Sequence, residues 1–168
     1  MNKVLLAGLL VAVFAGFAMA QPADVSGDVT VNVAVNGLWQ VNLSTALVDF
    51  GTLNVGDNAT AAVVATVRTN QKVAWYLKLD KDHDLTHTVD ATETIPSANF
   101  TYTGSGGAGV WSNGAFNLLP TTAYTATVLE RKAAAGIVLT TDYDLTIPAE
   151  AVAGDYENVI TYTLTATP

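Results

Sequence analysis

The residues that could do chemistry in this sequence gather in one acidic run, two histidines and one aromatic pair. Asp80-Lys81-Asp82-His83-Asp84 sets three carboxylates at alternate positions. Hard oxygen donors spaced in this way can wrap a calcium ion, so Asp80, Asp82 and Asp84 are the calcium candidates. The pattern breaks downstream, where Leu85 stands at the position that wants Gly and Ala91 at the position of a bidentate Glu. The competing reading, a solvated and self-repelling loop tip, is the one this break favours. His83 and His87 are the only histidines in the chain. Their spacing suits one face of a helix but diverges in an extended loop, and a closed zinc site wants four ligands that include Cys or His. Surface histidines are therefore the expectation.

Trp111 follows the glycine run Gly104-Ser105-Gly106-Gly107-Ala108-Gly109, and with Tyr102 it is the candidate platform for a sugar ring. The alternative is that its indole folds back and pins the glycine loop in place, as large aromatics are usually mostly buried. The run lacks the Gly-Lys-Ser/Thr ending of a phosphate cradle, and there is no Gly-x-Ser-x-Gly elbow. Without Cys there is no thiol nucleophile. The acidic residues mostly fall in turns or on alternating outer faces, a solubility pattern rather than the paired set of a glycosidase. The expectation is a protein that is not an enzyme and has no cofactor besides that calcium candidate.

Composition narrows the setting. The 168 residues carry a formal net charge of −8. An acidic surface repels phosphate backbones, which excludes nucleic acid as a partner. Lys3, the apolar stretch Val4 to Phe17 and the small-x-small ending Ala18-Met19-Ala20 make residues 1–20 a secretory signal, cleaved before Gln21. Residues 21–27 read as a flexible polar leader and 28–168 as one domain, with no transmembrane segment once the signal is removed. A domain of that size can be held by packing alone, as an exported chain without Cys must be. The expected location is secreted or extracellular, including association with the cell surface.

The elements that must position the candidate residues are strands. Asp28 to Val35 places Val at every second position and ends at Asn36-Gly37, a hairpin-turn dipeptide, with Leu38 to Leu43 as the returning partner. Ala61 to Val67 reads as a covered strand. Trp75, Leu77 and Leu79 alternate with Tyr76 and Lys78, Asp80 to His87 reads as a loop, and Phe100 and Tyr102 share one face. Tyr124 to Leu129 and Ile137 to Ile147 are two more strands, and Glu130 to Gly136 between them is a hairpin tip too short for a stable helix. Near the end, Ile160, Tyr162 and Leu164 oppose Thr161, Thr163 and Thr165. Trp39 and Trp75 are core candidates. Tyr156, just after Gly154, is expected to tie its hydroxyl to backbone across the corner. Eight to ten strands without intervening helices predict an all-β fold, an antiparallel Greek-key (immunoglobulin-like) β-sandwich, with a closed barrel as the runner-up.

Two segments carry a resemblance. Trp75-Tyr76-Leu77, together with Asp49-Phe50-Gly51, resembles the WxL domains of bacterial cell surfaces. The turn from Pro148 to Tyr156 followed by Ile160 to Thr165 looks like the last hairpin of many secreted bacterial sandwiches. WxL domains carry a second Trp-x-Leu near the C-terminus, and here Tyr162-Thr163-Leu164 stands in its place. The resemblance implies non-covalent association with the cell wall. The sequence thus predicts a structural or adhesive protein whose partners are a cell-wall or surface glycan or its own copies. In the second case Asp28 to Val35 would be a donor strand added to a neighbour's sheet edge. The alternative is a carbohydrate-binding module built on Trp111 and Tyr102.

Overall fold

The computed structural model describes residues 30–127, 130–131 and 134–168. The expected signal, the leader and the first two residues of the Asp28–Val35 strand lie outside the described residues. The chain divides between Ala34 and Val35 into two units. Of the first, Thr30 to Ala34 is described and has no regular secondary structure.

The second unit is all-β and sandwich-like, with antiparallel pairing between every pair of joined strands. Among the described residues it has twelve strands and no α-helix. A five-stranded sheet is built from β1 (Trp39–Leu43), β2 (Asn58–Thr69), β10 (Ile137–Thr146), β6 (Phe100–Gly106) and β8 (Gly114–Ala115), in that spatial order. A four-stranded sheet has the order β12 (Ile160–Thr165), β3 (Tyr76–Lys81), β9 (Thr121–Thr125) and β7 (Val110–Trp111). A third, small sheet joins β11 (Tyr156–Glu157), β4 (Leu85–His87) and β5 (Thr94–Ile95). Two sheets were expected; the third arises because the acidic run is not one long loop. β3 continues through Lys81 and pairing resumes at Leu85, leaving a connection of three residues.

The long central strands show why this sequence pleats. Along β10 the residues Ile137, Leu139, Thr141, Tyr143 and Leu145 are buried, and along β2 so are Val63, Ala65, Val67 and Thr69. Side chains alternate across a strand, so a period-two pattern puts one whole set inside. Register matches large to small: Tyr143 lies opposite Ala61, and Leu139 opposite Ala65. On its other side Tyr143 lies opposite Tyr102. Phe100, Phe116 and Tyr143 pack mutually at ring separations of 4.8 to 5.7 Å, within the range where tilted and edge-on aromatic pairs attract.

Three sequence expectations near the start of the unit are corrected. Thr30 to Val35 is not a strand, and Val31, Val33 and Val35 are 84%, 83% and 78% exposed. Asn36-Gly37 does not make the hairpin turn, which needs positive φ at both central residues, and Gly37 has none. Trp39 to Leu43 instead pairs with β2, Trp39 opposite Thr69. At this outer position Trp39 is 38% exposed and outside the core. Trp75 is fully buried, as expected. The strand expected over Tyr124 to Leu129 begins earlier, at Thr121, and ends at Thr125; Val128 and Leu129 lie outside the described residues.

Candidate functional site

The three calcium candidates do not converge. Asp80 is a residue of β3, and its Oδ1 is buried without a hydrogen-bond partner. Asp82 Oδ1 accepts from the backbone N–H of Val159 and of His83, both at 2.8 Å. Slight burial works against ionisation there, yet those two N–H groups and the neighbouring His83 hold the Asp82 carboxyl below its ordinary range. Asp84 accepts from Lys81 Nζ and, at 2.9 Å, from Ser97 Oγ. Its burial likewise pushes upward and is overcome by the Lys81 and Ser97 hydrogen bonds, so its pKa also lies below the ordinary value. Asp82 and Asp84 serve separate local structures and Asp80 joins neither, and no group of three or more His, Asp or Glu side chains is placed to hold a metal among the described residues.

The buried cation in this network is one that sequence reading passed over. Lys81 is only 2% exposed. Its position was legible, since it continues the inward series Trp75, Leu77, Leu79 at the same two-residue step. The two histidines are separate. His83 lies 3.4 Å from Asp82, while His87 packs edge-on against Tyr156 at 5.3 Å. Tyr156 makes the expected corner tie, donating to the carbonyl of Val152 at 2.9 Å.

The aromatic pair is divided between core and surface. Tyr102 is 4% exposed and belongs to the core beside Phe116, 4.9 Å away, so it offers no outer face for a sugar. Trp111 is half-buried. Its Nε1–H donates to the carbonyl of Gly106 at 3.0 Å and its ring lies 5.1 Å from Tyr124. The indole therefore pins the glycine loop, and it does so over Gly104, whose missing side chain leaves the space the ring occupies. Beneath it lies a cluster that sequence reading missed. Glu130, expected at a hairpin tip, is 9% exposed. Its carboxylate accepts from Tyr124 Oη at 2.6 Å and from Ala108 N at 2.7 Å, and its backbone carbonyl accepts from Trp75 Nε1 at 2.8 Å. Tyr124 Oη in turn accepts from Gly109 N at 2.7 Å. Burial, and then the bonded Glu130 carboxylate, push the Tyr124 hydroxyl well above its ordinary pKa. No local signal announces Glu130, because its partners are set by how the loops fold over one another.

A cleft of about 830 Å³ opens on the opposite flank. One wall is the segment Leu43 to Val55, the other runs from Ala151 to Tyr162. Phe100, Tyr143 and Leu145 form its apolar floor. The hydroxyls of Tyr143 and Tyr162 meet at 2.9 Å across it. Burial raises both tyrosines above their ordinary range, and for Tyr143 the contact with Tyr162 adds to the rise. The cleft presents apolar surface and strand backbone. Neither a protein-family model nor a curated protein sequence matches this chain.

Proposed function

We propose that this protein is a non-enzymatic structural or adhesive β-sandwich of the extracellular space, Greek-key and immunoglobulin-like in topology, which assembles with copies of itself through its N-terminal segment. The observation that carries this reading is the state of Thr30 to Val35. Its sequence alternates Val with Thr, Asn and Ala, the pattern of a half-buried strand, yet all three valines are exposed and the segment pairs with nothing among the described residues. A strand-patterned segment without a sheet is suited to adding to the sheet of a neighbour, where backbone hydrogen bonds supply affinity and alternate side chains supply specificity.

Association with the cell envelope belongs to the same proposal and is supported by the secretory signal and the WxL resemblance. Of the two residues in the Trp-x-Leu positions, Trp75 is fully buried and serves packing, whereas Tyr162 borders the open cleft.

The test is negative-stain microscopy and sedimentation of the exported protein beside its Val31→Asp/Val33→Asp variant. Filaments or higher oligomers in the first, and monomers of unchanged melting temperature in the second, are expected. A wild-type protein that stays monomeric at every concentration would falsify the reading.

A further inference from the structure

We infer that the acceptor for the Thr30–Val35 segment of a second copy is the free edge of β12 together with the cleft beside it. The inference rests on the self-assembly reading above and adds where the strand goes.

Among the described residues strand β12 pairs on one side only, with β3. Its register and one bond fix which backbone groups are free. Asp82 N donates to the carbonyl of Val159 at 3.1 Å. Hydrogen-bonded pairs alternate along an antiparallel ladder, so Thr161, Thr163 and Thr165 also direct their backbone groups to β3. The N–H and C=O groups of Ile160, Tyr162 and Leu164 therefore point out from the sheet edge. The inward side chains of the same three residues are only half-buried, although they pack on the core. Leu43 and Leu47, which line the cleft together with Ile160 and Tyr162, are 41% and 75% exposed. An open edge lying beside uncovered apolar side chains is what soluble proteins ordinarily avoid or block.

The donor matches this edge in pattern, and it meets the cleft at the Ile160–Tyr162 end, because toward the other end β1 lies against β12, with Val41 and Leu164 packed on one core cluster. Thr30 to Val35 is as long as β12, and laid along its edge it would direct Val31, Val33 and Val35 toward the cleft, and Thr30, Asn32 and Ala34 outward.

A second copy, and not the same chain, supplies the strand because of how residues 36–38 are held. The Asn36 carbonyl accepts from Asn70 Nδ2, and Leu38 N donates to Asn70 Oδ1, each at 2.8 Å. These bonds tie the chain at the Thr69 end of β2, while the cleft opens past Leu43 at the other end of β1. Returning along the flank within one chain would need a tight reversal at Asn36-Gly37, and that turn is not made.

The absence of Cys makes a clean test possible. Full-length exported protein is prepared as single-cysteine variants, Asn32→Cys or Ala34→Cys as donors and Thr161→Cys or Thr163→Cys as acceptors. Each donor is mixed with each acceptor under mild oxidation, and Gln40→Cys on the β1 edge serves as the control acceptor. A mixed disulfide dimer, identified by its mass, is expected for at least one donor with Thr161→Cys or Thr163→Cys. Its yield should exceed that with Gln40→Cys several-fold, and Val33→Asp in the donor should remove it. Filaments that form without any such dimer, or with the dimer at Gln40→Cys instead, overturn the assignment of the edge and leave self-assembly standing. Protein that neither assembles nor cross-links removes both.

Discussion

The two flanks of the sandwich meet the same problem, closing the gap between two sheets, in opposite ways. On one flank the chain passes from β6 to β7 through the glycine run, and Trp111, Tyr124 and Glu130 seal the gap with an interlocked set of rings and hydrogen bonds. On the other flank β1 and β12 are both edge strands among the described residues and lie against each other, but past Leu43 the segment to Val55 leaves a cleft beside Ile160 and Tyr162. The sealed flank satisfies its buried polar groups with side chains from distant parts of the chain. The open flank leaves the outer edge of β12 unpaired among the described residues, with Leu43 and Leu47 exposed beside it. A buried polar set is favourable only when every member is bonded, so it stabilises one conformation. An unpaired edge over an apolar floor gains most from a strand that arrives from elsewhere. The difference teaches that the sealed flank is built for stability, while the open flank keeps the edge that the proposed self-assembly would use.

The comparison is broken most forcefully at Trp75. Trp75→Ala removes a fully buried ring and its bond to the Glu130 carbonyl, and should cost about 3–5 kcal/mol by urea denaturation. Trp39→Ala, on the open flank, should cost about 1 kcal/mol or less, since that ring is already partly in water. Equal losses would mean that the flanks are not distinct in stability.

A smaller contrast lies in two glycines that share one backbone conformation. Gly107 (φ 69°) and Gly51 (φ 68°) are both left-handed. A methyl group on Gly107 would overlap Tyr124 Oη, whereas on Gly51 it meets nothing within 4 Å. Gly51→Ala should therefore show backbone strain alone, about 1–2 kcal/mol, and Gly107→Ala that strain plus displacement of Tyr124, above about 3 kcal/mol. Melting temperatures of the two variants measure the difference.

The smallest effect is alkaline. Tyr124 on the sealed flank and Tyr143 under the cleft both have pKa values raised in the folded state, in each case first by burial. Tyrosine in the unfolded chain ionises near pH 10, so the stabilisation is complete below about pH 10 and is lost as pH rises toward the folded-state values. The urea midpoint should fall between pH 9 and pH 11, and Tyr124→Phe and Tyr143→Phe should each flatten part of that fall. A midpoint unchanged at pH 11 would contradict the account of both flanks.

The strands that run through the middle of the molecule were legible because their cause is local. Ile137 to Ile147 and Ala61 to Val67 show alternation or continuous small apolar residues, and both appear as central strands. The Tyr156 corner was legible for the same reason, since its partner Val152 is four residues away. The Asn36-Gly37 turn failed because a dipeptide preference is weak against a competing register, here the pairing of Trp39 to Leu43 with Arg68 and its neighbours. The carboxylates at 80, 82 and 84 looked like one set in the sequence. The strand running through Asp80 and the separate bonds to Val159 and Lys81 divide them.

By itself the sequence determined the pleat: which residues alternate, which strands are covered, and that no α-helix should interrupt them. These are properties of neighbours one to four residues apart, where the period of the backbone selects the face. Only the tertiary structure decided that Glu130 is held inside, that Trp111 seals one flank, and that past Leu43 the other flank is left open. Each of those depends on contacts between segments far apart in the chain, and no local spacing encodes which distant edge goes without a partner.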